Sequence, residues 1–346
     1  MFRKRAEQVR VCVMNMQGSI GLAPRISIVI PAYNTANLVA GCLDSVFAQT
    51  YSDFETLVVN DGSPDTPELE KALAPYLDRI RYIKQENKRA AGARNTAIRN
   101  ARGEFLAFLD SDDSWLPDHL DSQMKQFEKD PSLDLVYANG IRIANPRRVE
   151  FMDSCPSRGP ADFQALVSER CQIPVSTVVA RKSVIVQAGC FDEQLQRCDD
   201  YDMWLRAAFQ GAKIGYCYQV QARLNGGRPD SLGQSSVKML EGYLTILEKA
   251  LRVLPLTDSQ RALVRARRSD INARYLVEQG KCQLKEGKFA QAKEIFSQAN
   301  DSLKQWKVSL ALMGLTVAPQ VTRTLLVLWT HVLGRFSQAN LRLSRS

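Results

Sequence analysis

Short apolar segments rich in β-branched residues alternate with amphipathic helical segments from residue 26 onwards. The first apolar segment covers residues 26–30 and the second residues 54–59, and apolar residues recur at helical spacing across residues 38–47 between them. This spacing is typical of a helix that packs on a sheet. Strands separated by single helices form right-handed βαβ units, so the pattern predicts an α/β fold with a mostly parallel sheet and helices on both faces.

The alternation continues and then gives way to helices. Further strands are predicted at residues 81–83, 105–109 and 133–137, and further helices from residue 66 and at residues 91–101. Beyond about residue 233 the pattern predicts helices only, and residues 280–299 resemble the second half of a tetratricopeptide repeat. Because a single repeat cannot bury its own apolar face, an ordinary helical hairpin is the favoured interpretation there.

The positive charge of the chain lies at its two ends. Of the 346 residues, 46 are basic and 37 are acidic, which gives a net charge of +9. Residues 1–24 contribute +3, and the segment beyond Asp301 contributes +6 because it holds six basic residues and no acidic one. The body between them is therefore neutral. A nucleic-acid-binding domain carries its positive excess on the fold itself, so no nucleic-acid partner is expected.

Cysteine and histidine usage argues against a disulfide framework or a zinc site. The chain has eight cysteines and two histidines, and no two cysteines have CxxC spacing. No secretory signal is recognisable, which favours reduced thiols that serve as small core residues. We therefore expect a cytoplasmic protein without a clear transmembrane span.

The strongest chemical signal is the acidic run Asp110-Ser111-Asp112-Asp113, directly after a predicted strand. In an extended segment Asp110 and Asp112 point to the same side, where two carboxylates repel each other and favour a bound cation. Oxygen ligands select Mg²⁺ or Mn²⁺, and such ions also carry phosphate oxygens. The alternative is a solvated turn that caps the next helix, but the position at a strand end favours the metal site.

Two further motifs follow predicted strands. Asp61 precedes Gly62, so its carboxylate either accepts a hydrogen bond from a nucleobase or shapes an Asx-turn. Lys88 and Arg89 precede a helix that contains Arg94, and basic side chains with backbone N–H groups at a helix start favour a diphosphate. For Lys88 and Arg89 a solvated basic turn is an equal alternative.

A last acidic motif begins a helix near residue 199. N-capping of a helix uses a single capping side chain, whereas Asp199, Asp200 and Asp202 place three acids within four residues. This clustering favours one of them as the general base for an acceptor hydroxyl.

Taken in order, these motifs resemble those of the family 2 glycosyltransferases of GT-A fold. The resemblance runs from about residue 26 to residue 235 and rests on Pro31-Ala32-Tyr33-Asn34, Val59-Asn60-Asp61-Gly62-Ser63, Ala93-Arg94-Asn95, Leu109-Asp110-Ser111-Asp112-Asp113 and Asp199-Asp200-Tyr201-Asp202-Met203-Trp204-Leu205-Arg206. Each motif is of moderate specificity, but the ordered set is highly specific. It implies a GT-A nucleotide-diphospho-sugar transferase fold followed by a helical C-terminal region.

The resemblance implies a role for each matching position. It implies Asp200 as the catalytic base, with Asp199 in the place of a glutamate that is common in the family. It implies Asp110 and Asp112 as the metal-binding DxD pair, with Mn²⁺ or Mg²⁺ as cofactor. The residues implied for donor binding are Pro31, Ala32, Tyr33, Asn34, Asp61, Lys88, Arg94, Asp110 and Ser111. Asn225 stands near the position of a histidine that reaches the metal in many relatives, which leaves a third protein ligand open.

The implied function is an inverting transfer of one sugar from a nucleotide diphosphate sugar, with a UDP-sugar as the first candidate, to a hydroxyl of a glycan or lipid-linked glycan. The QxxRW signature of processive synthases is missing. A sugar-1-phosphate nucleotidylyltransferase needs a glycine-rich loop after the first strand, which Pro31-Ala32-Tyr33-Asn34 is not. The other alternative is a non-catalytic sugar-nucleotide-binding or scaffold protein that uses its helical region.

Four parts are expected along the chain: a basic tail at residues 1–24, the GT-A domain at 25–235, a helical region at 236–303 and a basic apolar tail at 304–346. The second tail has two interpretations. It packs on the body as a final helical pair, or it lies reversibly on an anionic membrane surface. The second interpretation places the enzyme in the cytoplasm, at the inner face of the cytoplasmic membrane.

Overall fold

The computed structural model describes residues 23–144, 147–150, 161–225, 236–303 and 306–325. The chain divides into two compact units, residues 1–234 and residues 235–346. Within the described residues, the first unit is a sheet covered by helices and the second consists of helices.

The strands of the first unit are β1 (Ile26–Ala32), β2 (Phe54–Asp61), β3 (Arg81–Gln85), β4 (Phe105–Phe108), β5 (Ser114–Trp115), β6 (Leu135–Ala144), β7 (Arg147–Glu150), β8 (Val179–Arg181) and β9 (Ile214–Asn225). Its helices are α1 (Val39–Phe47), α2 (Thr66–Leu73), α3 (Arg89–Asn100), α4 (His119–Lys129), α5 (Phe163–Val167), α6 (Lys182–Gln187) and α7 (Asp199–Phe209). The second unit contains α8 (Ser236–Val253), α9 (Asp258–Lys285), α10 (Phe289–Leu303) and α11 (Trp306–Val317).

The strands form one sheet in the order β3-β2-β1-β4-β8-β6-β9-β5, with β7 paired to β6. The four strands at one end, β3, β2, β1 and β4, are parallel as the sequence pattern predicts. Beyond β4 the expectation of a mostly parallel sheet needs correction, because β8 is antiparallel to both β4 and β6 and β5 is antiparallel to β9. The sheet is therefore mixed, although its α/β class is confirmed.

The antiparallel direction of β8 has a local consequence. Val179 pairs with Ala107 and Arg181 with Phe105, so β8 enters the sheet at the edge where β4 ends. The short 3₁₀ turn Val175–Thr177 that precedes β8 therefore lies beside the loop that follows β4. This places a segment with no recognisable motif next to the acidic run.

The core forms because the first strands bury both of their faces. On one face of β1, Ile26, Ile28 and Ile30 pack in a cluster that includes residues of α1, α2 and α4. Helix α3 packs on β1 and β2 through small buried residues such as Ala93. Burial on both faces explains why these strands are continuous apolar runs instead of alternating ones.

The second unit is built around a helical hairpin, as the sequence pattern favours. A capping box between Thr257 and Gln260 begins α9. Gly287, with φ of 78°, lies in the turn between α9 and α10. Gly280 and Phe296 then pack closely, because a Cβ on Gly280 would lie 2.9 Å from the Phe296 ring. Within the described residues, no helix has both the length and the apolar character that crossing a membrane requires.

Candidate active site

Asp61 ends β2 in a buried, hydrogen-bonded position. Its Oδ1 accepts hydrogen bonds from Gln85 Nε2 at 2.6 Å and from the backbone N of Lys88 at 2.8 Å. Burial raises the pKa of Asp61, and these two hydrogen bonds oppose that shift. The carboxylate is thus held at the carboxyl edge of the parallel strands, where ligands bind in sheets of this kind.

The segment after β1 lies beside the one after β2. Pro31 and Ala32 are the last residues of β1, and Tyr33, which follows them, is 50% exposed. The backbone N of Asn34 donates to Ser63 Oγ at 2.7 Å, which fixes the two strand exits together. An exposed tyrosine above a fixed backbone turn is a flat surface on which a planar ring can stack.

The acidic run after β4 is held in place by neighbours on both sides. Ser111 is buried, and its hydroxyl lies 2.9 Å from that of Thr35, in the loop after β1. The carboxylates of Asp110 and Asp112 are partly exposed. Burial, and then the like charges of Asp110 and Asp112, raise the pKa of Asp113 well above its usual range. The loop is therefore a concentrated negative charge at the sheet edge.

Ser176, in the 3₁₀ turn before β8, holds this acidic loop from the other side. Its Oγ accepts from the backbone N of Asp110 at 3.1 Å and donates to Asp113 Oδ2 at 2.5 Å. Trp115 Nε1 in turn donates to the backbone O of Ser176 at 2.7 Å. One hydroxyl therefore fixes both ends of the acidic run.

Arg94, on α3, joins two acidic segments that are far apart in sequence. Its Nη2 donates to Asp110 Oδ1 at 2.6 Å and its Nη1 to Asp199 Oδ2 at 2.7 Å. The side chain is almost fully buried, and the two carboxylates raise the pKa of Arg94 against the opposing effect of its burial. The planar, always charged guanidinium suits this bridge, because its fork reaches two carboxylates at once.

Asn95, the next residue on α3, fixes the segment that leads to α7. Its Nδ2 donates to the backbone O of Phe191 at 2.8 Å, and its Oδ1 accepts from the backbone N of Phe191 at 3.0 Å. Asn95 also donates to Glu193 at 2.9 Å. Arg94 and Asn95 together therefore attach the start of α7 and its preceding loop to the sheet.

The first turn of α7 carries Asp199, Asp200 and Asp202, in the position that the sequence predicts. Asp200 Oδ1 accepts from the backbone N of Tyr201 at 2.8 Å. Burial, followed by the like charge of Asp199, raises the pKa of Asp200 to about 6, although Arg94 lowers it. A carboxylate with a pKa near 6 is a stronger base than an ordinary aspartate and is still ionised at neutral pH.

Two other predicted positions lie at the rim of this site. The side chain of Lys88 is exposed, at the start of α3. The backbone N of Asn225, the last residue of β9, donates to Asp113 Oδ1 at 2.7 Å, so β9 ends against the acidic loop. Residues 226–235, which directly follow Asn225, lie outside the described residues.

The structure thus brings Asp61, Asp110, Asp112, Asp199 and Asp200 to one edge of the sheet, and it places Arg94 as a buried bridge among them. The sequence motifs gave no role to the residues that support the site, namely Ser176, Thr35, Gln85 and Asp113. Asp113 was visible in the sequence as the fourth residue of the acidic run. Ser176 carries no local signal, because only the antiparallel pairing of β8 brings it to the loop.

Comparison with known proteins identifies the fold and the family. The model of the family "Glycosyl transferase family 2" matches residues 27–175. Staphylococcus aureus TarS, residues 1–349, in complex with UDP-GlcNAc, superposes with a TM-score of 0.58 at 16% identity over 90% of this chain and 92% of that one. The mannosyltransferase PcManGT of Pyrobaculum calidifontis, in complex with GDP-Man and Mn²⁺, gives a TM-score of 0.58 at 17% identity over 94% and 89%.

These similarities confirm the GT-A fold of the first unit, followed by a helical C-terminal region. Among curated relatives, the UDP-Glc:alpha-D-GlcNAc-diphosphoundecaprenol beta-1,3-glucosyltransferase WfgD of Escherichia coli is 33% identical over 181 residues, which are 52% of this chain and 68% of that protein. The chain belongs to the family 2 glycosyltransferases. It spans only 27–31% of the length of three uncharacterized Rickettsia glycosyltransferases that it also matches.

Proposed function

We propose that the protein is an inverting glycosyltransferase that moves one sugar from a nucleotide diphosphate sugar to an acceptor hydroxyl of a glycan or lipid-linked glycan. The observation that carries this proposal is the bridge Asp110–Arg94–Asp199. It joins the acidic loop, which is suited to a divalent cation, to the helix start that holds the raised-pKa carboxylate of Asp200. Nothing in the comparisons favours the non-catalytic alternative.

The donor would lie across the carboxyl ends of β1, β2 and β4. Asp61 would accept a hydrogen bond from the base, Pro31 and Ala32 would line the ribose side, and Tyr33 would stack on the ring. Asn34 and Ser111 would support the diphosphate side, together with the exposed charge of Lys88. WfgD is named for UDP-Glc and TarS has been solved with UDP-GlcNAc, which supports a UDP-sugar as the donor.

A divalent cation fits the chemistry of the acidic loop. Asp110 and Asp112 would hold it, because their charges repel each other and already raise the pKa of Asp113. Asp110 engages Arg94 through Oδ1, and its other carboxylate oxygen would contribute to holding the cation. Within the described residues, no three or more acidic, histidine or cysteine side chains form a metal site, so the remaining ligands would come from the donor and water. Bound there, Mn²⁺ or Mg²⁺ would neutralise the leaving diphosphate.

Asp200 would act as the general base. Its ionised carboxylate takes the proton of the acceptor hydroxyl while that oxygen attacks the anomeric carbon from the face opposite the diphosphate, which inverts the configuration. Asp199, through its ion pair with Arg94, keeps the Asp200 carboxylate beside the acidic loop. Positioning of this kind and a general base are both expected contributors to rate, the base by about 10²–10⁴-fold.

The acceptor and the location of the enzyme are also proposals. WfgD is named for an acceptor linked to diphosphoundecaprenol, which supports a lipid-linked acceptor here. An acceptor of that kind is embedded in a membrane, so we place the enzyme in the cytoplasm against the inner face of the cytoplasmic membrane. Much of the basic tail, residues 326–346, lies outside the described residues.

The test is nucleotide release with Asp200→Asn as the diagnostic variant. UDP-Glc, UDP-GlcNAc and GDP-Man are each supplied with Mn²⁺ and GlcNAc-diphosphoundecaprenol, and the products are identified by mass spectrometry. The wild type is expected to convert one donor, and Asp200→Asn to lose at least 10²-fold in kcat while its donor Kd stays within about twofold. Equal turnover by the variant would refute the base, and binding of none of the donors would refute the proposed function.

A further inference from the structure

Helix α11 in the second unit is apolar on two opposite faces. Among its described side chains, Leu310, Met313 and Val317 are 53%, 60% and 80% exposed. Their spacing of three and four residues places them on one side of the helix. A helix that is apolar all round is normally covered on all sides, so this exposed face needs an explanation.

The opposite face of α11 is already used. Val308 and Leu315 are buried in a cluster with Leu284, Ala292 and Phe296, and Leu312 packs against the same cluster. This cluster anchors α11 to α9 and α10. The exposed face is therefore not a core face that has shifted outward, but a second apolar surface on an anchored helix.

The segment of the sequence that contains α11 carries charge of one sign. Beyond Asp301 the sequence contains no acidic residue, whereas Lys304, Lys307, Arg323, Arg335, Arg342 and Arg345 are basic. A second copy of the chain, or the chain's own remaining segment at residues 326–346, would bring more positive charge to this face. An anionic surface brings the opposite charge, and a lipid bilayer also accepts the apolar side chains.

We propose that the Leu310–Met313–Val317 face of α11 inserts into the surface of an anionic membrane. The three side chains would enter the boundary between headgroups and acyl chains, and basic residues that flank α11 in the sequence would attract anionic headgroups. This contact does not depend on the sugar-transfer activity. The proposal assigns membrane contact to a particular helix face within the described part of the chain.

The test is co-sedimentation of the full-length protein with vesicles. The probes are vesicles of phosphatidylcholine alone and vesicles with 30% phosphatidylglycerol, each at low and at physiological salt. The wild type is expected to bind the anionic vesicles and to lose affinity as salt rises. A triple variant, Leu310→Ser with Met313→Ser and Val317→Ser, is expected to bind at least tenfold more weakly. Val253→Ser, at a 59% exposed valine on α8, is the matched control and should bind like the wild type.

Three results would overturn the proposal. One is equal vesicle binding by the triple variant and the wild type, and another is wild-type protein that binds neither kind of vesicle. The third is a wild-type dimer by light scattering that becomes a monomer in the triple variant, because that result assigns the face to a second copy. The single change Met313→Gln, read with circular dichroism, separates weaker binding from loss of fold.

Discussion

At the scale of single residues, Arg94 is the group on which the geometry of the site depends most. It holds Asp110 at 2.6 Å and Asp199 at 2.7 Å while almost fully buried. A buried ion pair is weak evidence for stability, because replacing it by apolar groups is often neutral. The geometry instead gives Arg94 a positioning role between the acidic loop and the start of α7.

We predict that changes at Arg94 alter the pH profile of the reaction as well as its rate. The pKa of Asp200 is about 6 and Arg94 lowers it, so the wild-type rate should fall tenfold per pH unit below about pH 6, where the base becomes protonated. Arg94→Met removes the cation, which should move this acidic limb to higher pH. It should also cost up to about 3–5 kcal/mol of stability, because the buried carboxylate of Asp199 and the partly exposed one of Asp110 lose their partner.

Arg94→Lys is the matched variant, since it keeps the charge but cannot bridge both carboxylates with a fork. Its acidic limb should stay near that of the wild type, while kcat falls by at least tenfold and the donor KM changes little. The measurements are kcat and KM from pH 5 to pH 9, with thermal melts of each variant. An acidic limb that stays in place in Arg94→Met would contradict the coupling of Arg94 to Asp200.

The sequence predicts which acidic residues belong to the site but not which side chains they pair with. Asp110, Asp112 and Asp200 are recognisable because acids recur at strand ends and helix starts, where local rules apply. The motifs also assign Arg94 to the donor. Its observed partners Asp110 and Asp199 lie 16 and 105 residues away, a pairing that no local spacing specifies. Its role in donor binding stays a prediction.

At the scale of elements, the short turn before β8 shows how the mixed sheet completes the site. We predict that Ser176→Ala lowers the affinity of the acidic loop for Mn²⁺, because Asp113 loses a hydrogen-bond donor and Asp110 loses the acceptor for its backbone N–H. A buried group without its partner should also cost about 1–3 kcal/mol of stability. The measurement is the Mn²⁺ concentration that gives half-maximal UDP binding by calorimetry, beside a thermal melt.

Thr177→Val is the matched control for this element. Thr177 is the next residue in the same turn, is equally buried, and donates to the backbone O of Pro174 at 2.8 Å without touching the acidic loop. It should lose comparable stability and keep the Mn²⁺ requirement of the wild type. The same increase in Mn²⁺ requirement in both variants would show that the turn acts through general loosening and not through Ser176.

Elements that depend on local pattern were predicted, and those that depend on distant pairing were not. The pattern of β1, β2 and β4 is readable because each strand is a continuous apolar run bounded by turn residues. The antiparallel insertion of β8 between β4 and β6 is not readable, since a three-residue strand has no periodicity of its own. The mixed character of the sheet, and with it the place of Ser176, therefore required the structure.

At the scale of the whole molecule, negative charge gathered at one edge of the sheet should link folding to ligand binding. The run Asp110–Asp113 combines three carboxylates, and burial, followed by the like charges of Asp110 and Asp112, raises the pKa of Asp113 in the folded protein. An unfolded chain returns these carboxylates to water and lacks the bridge through Arg94. A ligand that neutralises the loop should therefore stabilise the folded state by mass action.

We predict that Mn²⁺ and UDP together raise the melting temperature of the full-length protein. At about 100 times the Kd, binding to the folded state alone adds about 2.7 kcal/mol, which corresponds to a rise of several degrees for a chain of this size. Asp112→Asn should lose most of this shift because one proposed metal ligand is gone, whereas Asp61→Asn should keep the shift from Mn²⁺ and weaken the part that UDP adds. A shift in Asp112→Asn as large as in the wild type would move the metal away from the acidic loop. A shift with UDP that is unchanged by EDTA would show that the nucleotide binds without a divalent cation. The ion pair of Arg94 with Asp110 would then be the main interaction that offsets the negative charge of the acidic loop.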